Sequence, residues 1–161
     1  ILLSNVNFAP IMKQFSLILC IAIGIFACKQ KESIDYTEID EDIISSYIAD
    51  SNLNAIATGT GLYYVVQAAG VGMQPLAEST VTVAYKGYLT DGTVFDESDS
   101  NGITFSLRNV IQGWQEGIPL FKEGGSGMLL IPSALGYGSS SQGQIPANSV
   151  LIFEITLIDV Q

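Results

Sequence analysis

Whatever chemistry this chain performs, it performs without histidine. Its 161 residues contain none, and its only cysteines are Cys20 and Cys28. The Ser-His-Asp triad, the Cys-His pair and the ordinary zinc constellations are therefore unavailable. The residues left with something to offer are aromatic and acidic: seven tyrosines, seven phenylalanines, one tryptophan and sixteen carboxylates, with Asp96 directly after Phe95 among them. Aromatic side chains can hold a ring or fill a core, and a tyrosine hydroxyl can donate to a carboxylate without any covalent step. Taken singly, Trp114 and Phe153 read as core residues and Asp96 as a turn acid. Only their joint arrangement could make a site.

The elements that must position them are mostly short strands. From residue 62 the apolar pattern has period two, with turn residues between segments. Residues 62–67 form the first. In 80–89, Val81, Val83 and Tyr85 alternate with Thr80, Thr82 and Ala84, so one face can be buried and the other wet. Asp91-Gly92 predicts a hairpin with a tight primed turn leading into 93–95. Ile103, Phe105 and Leu107 mark another strand, 128–132 another, and 150–160 the last. That final run is apolar at almost every position, which places it at the sheet centre, covered on both faces. A single helix is expected inside this region, over 110–120, kept short by Gly113, Gly117 and Pro119. The fold class is α+β: an antiparallel sheet of five to six strands wrapped around one short helix.

Upstream, Ile39, Ile43, Ile44, Tyr47 and Ile48 fall at helical spacing within 34–53, predicting one N-terminal amphipathic helix with Thr37 as a candidate N-cap. Seven of the sixteen acids lie in or beside it, which reads as a solvated face, with an acidic partner surface as the alternative. Residues 52–61 then read as a linker. Sixteen acids against six basic residues leave a formal charge of −10, which opposes nucleic acid and anionic head groups.

The strings VTVAYKGYLTDGTVFDES, FSLRNVIQGWQEGIPLF and IPSALGYG, followed by IPANSVLIFEITLIDV, resemble the FKBP domain in order, spacing and content. The resemblance covers about residues 58–160. It implies an FKBP-like fold and a peptidyl-prolyl cis/trans isomerase that needs no cofactor and no metal. Carried over by position, it implies a pocket formed by Tyr85, Phe95, Asp96, Trp114, Tyr137 and Phe153 as catalytic residues, with Val110, Ile111, Ile145 and Ile103 binding substrate. In the family the matched indole forms the floor, the amide of the matched Ile111 receives a substrate carbonyl, and the hydroxyl of the matched Tyr137 donates to another. Ile103 stands where many relatives carry an aromatic on the lip, with Phe105 close by. The flap around 139–144 is polar and short, so weaker turnover and weaker macrolide affinity are expected. The alternative to catalysis is a chaperone-like or scaffolding module that grips proline segments.

Residues 12–27, MKQFSLILCIAIGIFA, carry Lys13 ahead of an apolar run of about thirteen residues, within the signal-peptide range and short of the roughly twenty needed to span a bilayer. The run ends at Ala27-Cys28 and resembles a lipobox, which implies acylation of Cys28 and its exposure as the mature N-terminus. The expected organisation is an upstream extension and signal peptide over 1–27, a lipid-anchored helix and linker over 28–57, and an isomerase domain over 58–161. The expected partners are proline-containing polypeptides and, through the lipid on Cys28, a membrane, with no nucleic acid and the chain a monomer. By the same resemblance Lys29 after the cysteine implies the outer rather than the inner membrane, and the expected location is its periplasmic side or the cell surface.

Overall fold

Alternating side chains dictate a sheet with two unequal faces, and the computed structural model, which describes residues 34–161, shows how each is covered. Residues 1–33, with Cys20, Cys28 and the lipobox, lie outside the described residues. Seven strands form one sheet: β1 (Ile56–Ala57), β2 (Tyr63–Ala68), β3 (Thr80–Leu89), β4 (Val94–Glu97), β5 (Ile103–Ser106), β6 (Ser126–Ile131) and β7 (Leu151–Val160). The order is β1-β2-β6-β7-β3-β4, with β5 also paired to β3, and every pairing is antiparallel. The ten residues of β3 thus share one edge between two short strands: β5 along Thr80–Val83 and β4 along Lys86–Tyr88.

One face carries the larger core. Val81 and Val83 of β3, Leu129 and Ile131 of β6, and Leu151, Phe153, Ile155 and Leu157 of β7 meet Trp114, Ile118 and Phe121. Trp114 belongs to α2 (Gln112–Gly117), which continues as a turn of 3-10 helix over Ile118–Leu120. The glycines expected only to shorten this helix have a second use. A Cβ on Gly113 would lie 2.4 Å from Ile131 Cγ2, and one on Gly117 would lie 2.6 Å from Leu129 Cδ2. Four residues apart, they clear one helix face so that α2 lies flat on β6.

The opposite face is covered by α1 (Tyr36–Asp50), whose Ile44 is fully buried against Val65, Tyr88, Met128, Leu130, Val150 and Ile152. The helix expected within 28–57 is thus packed on the domain expected over 58–161 and forms one compact unit with it. Its N-cap is Asp35, which accepts from the Thr37 amide, in place of Thr37. The solvated acidic face holds at Asp35, Glu38, Asp42 and Asp50 and fails at Asp40, which is buried. Nor is 52–61 a plain linker, because Ile56 and Ala57 pair with Tyr64 and Tyr63 as an edge strand.

Because α1 covers only one end of its face, β7 is enclosed on both sides at Leu151–Phe153 and then alternates, with Glu154, Thr156 and Ile158 exposed. Burial on both faces along its whole length does not hold. The β3–β4 turn also differs from the primed form expected: Gly92 has φ +86° while Thr90 and Asp91 keep negative φ. The Gly92 amide donates to Leu89 O, and the Leu89 amide donates to Thr93 O. This three-residue loop, 90–92, is one residue longer than a two-residue turn and is closed by a single left-handed glycine.

Candidate active site

Tyr85 sits on the core face of β3, and Asp96 reaches it from β4. Gly87 pairs with Asp96 across the two strands, and the Tyr85 hydroxyl donates to Asp96 Oδ2 at 2.7 Å. Burial, then this hydrogen bond, then the negative charge of Asp96 push the Tyr85 hydroxyl pKa well above the ordinary tyrosine range, so the phenol stays a donor. Gly87 is needed where it stands: a Cβ there would come within 2.6 Å of Phe95 and 2.7 Å of Phe153. Its missing side chain lets those two rings meet edge to face, with centroids 5.5 Å apart.

Trp114 is the centre of the aromatic wall. It meets Tyr85 at 5.0 Å and Phe153 at 5.1 Å, both edge to face, and Phe105 at 5.2 Å in a tilted contact. Edge-to-face pairs place the positive rim of one ring against the negative face of another, which fixes orientation as well as filling space. With α2 pressed onto β6 through its glycines, the indole is held at the base of a cavity of about 770 Å³.

All ten residues named for the site line this one cavity: Tyr85, Phe95, Asp96, Ile103, Val110, Ile111, Trp114, Tyr137, Ile145 and Phe153. Ile103 and Phe105, two apart on β5, face the same way and both contribute, so the lip has an aliphatic and an aromatic member. Asn109 lines it as well and escaped the sequence reading, because a single polar residue before an apolar pair carries no pattern. Gln142–Gln144 close the far side as a tight turn. There the amides of Gln142 and Ile145 donate to each other's carbonyls, with Gly143 at φ +55°. Ile111 opens α2 by accepting from the amides of Trp114 and Gln115, while its own amide has no acceptor among the described residues.

Nothing in this lining suits covalent chemistry. Among the described residues, Asp96 is the only carboxylate in the lining, it is already engaged by Tyr85, and no lysine, serine or cysteine lines the cavity. What the hollow can do is strip water from an apolar ring and offer a few directed hydrogen bonds to the polar groups beside it.

Comparison with known proteins bears on the same stretch of chain. A family model described as FKBP-type peptidyl-prolyl cis-trans isomerase matches residues 72–158. The FKBP-type peptidyl-prolyl cis-trans isomerase FkpA of Aeromonas hydrophila is 37% identical over 133 residues, covering 81% of this chain and 49% of that protein. FkpA of Buchnera aphidicola subsp. Schizaphis graminum is 47% identical over 107 residues, covering 65% of this chain and 42% of that protein. This chain therefore spans under half the length of these curated relatives. Among solved structures, FkpA from Escherichia coli superposes with a TM-score of 0.70 at 37% identity, covering 79% of this chain and 61% of that one. A peptidyl-prolyl cis-trans isomerase from Pseudomonas syringae pv. tomato gives 0.67 at 30% identity, covering 80% and 98%. Since the matched stretch takes in more than half the chain and every cavity residue from Tyr85 to Phe153, the chain belongs to the family of FKBP-type peptidyl-prolyl cis-trans isomerases.

Proposed function

We propose that this chain catalyses cis/trans isomerisation of X-Pro peptide bonds in polypeptides that fold outside the cytoplasm. The observation that carries this reading is the convergence of Tyr85, Phe95, Trp114, Tyr137 and Phe153 on one apolar hollow whose lining, among the described residues, has no lysine, serine or cysteine.

Rotation about an X-Pro bond is slow because the planar amide must give up its resonance, against a barrier of about 18–20 kcal/mol. The planar form is charge-separated and well solvated, whereas the twisted form has lost that separation across C–N. A cavity that holds the pyrrolidine ring among Phe95, Trp114 and Phe153 and excludes water disfavours the planar ground state relative to the twisted one. Lowering the barrier by about 8 kcal/mol gives roughly a millionfold acceleration. In this reading the Ile111 amide and the Tyr137 hydroxyl, from two residues that line the cavity, donate to substrate carbonyls, and the Tyr85–Asp96 bond orients the wall without reacting. The test is a proline-limited refolding assay on protein beginning after Cys28, with Phe95→Ala and Asp96→Ala as controls. Acceleration by the parent and weaker acceleration by both controls is the expected result. Retained peptide binding with no acceleration would instead put a proline-binding module ahead.

Membrane attachment through a lipid on Cys28, on the periplasmic side of the outer membrane or at the cell surface, completes the proposal. Its support is the charged, apolar and small-residue order of 12–28. Cys28→Ser should release the protein from membranes or leave it unprocessed. A cleaved form that fractionates as before would remove the anchor.

A further inference from the structure

Asp40 lies in the second turn of α1, on the sheet face opposite the cavity's aromatic wall, and outside the stretch matched by the family model. It is only 1% exposed. Its Oδ2 accepts two hydrogen bonds from one residue 93 positions away: the Ser133 amide at 2.8 Å and the Ser133 hydroxyl at 2.6 Å. Its Oδ1 is buried and has no partner among the described residues. A half-satisfied buried carboxylate is a costly way to dock a helix. Ile44, one turn on, already docks it with apolar surface alone.

The bonds that leave Ser133 show what the carboxylate holds. Ser133, itself 2% exposed, receives on its carbonyl the amides of Gly136 at 3.0 Å and Gly138 at 2.8 Å. The Gly138 carbonyl in turn accepts from the Asn148 amide at 2.7 Å. Tyr137 stands between the two glycines, and Ile145 lies within the loop that the Gly138–Asn148 bond closes. Both line the cavity. Tyr137 is 38% exposed, so side-chain packing alone does little to hold it. Charge-assisted hydrogen bonds are the stronger and more directional kind.

We infer that Asp40 is a positioning residue: through Ser133 it fixes the cavity wall that carries Tyr137 and Ile145, making α1 a working part of the proline site. The inference rests on the reading of the cavity as that site. A loosened wall weakens ground state and transition state alike, so the effect belongs in KM more than in kcat.

The full chain is compared with Asp40→Ala, Asp40→Asn, Ser133→Ala and Ser133→Thr by residue-resolved amide exchange and by isomerisation kinetics on a proline peptide. In Asp40→Ala, exchange at Gly136, Gly138 and Asn148 should rise roughly tenfold, and KM several-fold, with kcat nearly held. Asn, which keeps an acceptor, and Thr, which keeps the hydroxyl, should each restore part of the loss. Tyr63→Phe supplies the control, because it removes the bond from Tyr63 to Glu41 Oε1 of α1 without touching Ser133. Unchanged exchange at the three amides, or an equal change in Tyr63→Phe, overturns the inference. Faster exchange with KM unmoved in an active parent overturns the link to substrate. Should Asp40→Ala fail to fold, Ser133→Ala carries the same test with one bond removed. An inactive parent would count against isomerase function, while exchange would still decide the clamp.

Discussion

Gly113 rests directly on Ile131: the position its Cβ would take is 2.4 Å from Ile131 Cγ2 and 2.8 Å from Cδ1. Trp114, next along α2, is thereby set at the depth where its ring meets Tyr85, Phe105 and Phe153. A methyl group at position 113 has to push the helix off β6 or force Ile131 from its rotamer. Gly113→Ala should therefore cost about 1–3 kcal/mol, although alanine is the better helix former. Thermal melting measures the cost, and intrinsic fluorescence of the single tryptophan reports the shift of the cavity floor.

Phe95 and Asp96 should separate grip from orientation. Phe95→Ala opens the ring pair with Phe153 and lets water beside the bound proline, so kcat/KM should fall by roughly tenfold or more. Asp96→Ala leaves the walls intact but removes the acceptor of the Tyr85 hydroxyl, costing about 1 kcal/mol, or roughly fivefold. Kinetics on one peptide series tests both. A larger loss for Asp96→Ala than for Phe95→Ala would contradict the apolar basis of the site.

Alkaline pH should report on the half-buried phenol of Tyr85. Tyr85 has its folded-state pKa raised above the ordinary 10.0 by burial first and by Asp96 second. Below pH 10 folded and unfolded chains both keep the proton, and the stability tied to it is fully present. Above that value the unfolded chain loses its proton first, so stability falls as pH rises toward the folded pKa. Tyr88, raised by burial and by its bonds with Tyr47 and Glu154, adds a second contribution of the same sign. Denaturant unfolding from pH 8 to 11 should thus show a decline that is shallower, though not abolished, in Tyr85→Phe.

Ile44 tests whether α1 belongs to the folded unit. It is fully buried among side chains of β2, β3, β6 and β7. Ile44→Ala should destabilise the whole fold by about 2–5 kcal/mol in a single transition. A helix that merely tethered the domain would leave the melting temperature where it was.

The sequence by itself determined every strand but the edge pair Ile56–Ala57, and the identity of the wall. Alternation in 80–89 and the near-unbroken apolar run of 150–160 are local patterns, because a strand's side chains must face opposite sides every second residue. Residues Tyr85 to Phe153 were legible as a set because motif order carried them, although none stands out alone. Tertiary structure alone decided what closes the other face. The burial of Asp40 depends on Ser133, which lies far along the chain, and an acid set among Glu38, Glu41 and Asp42 looks locally like any solvated charge. The same holds for Gly113 and Gly117: locally they weaken a helix, and only contact with Leu129 and Ile131 shows that they admit it to the sheet. Periodicity records which side of an element is apolar. Which distant backbone comes to meet it depends on packing between elements, and that has no local signature.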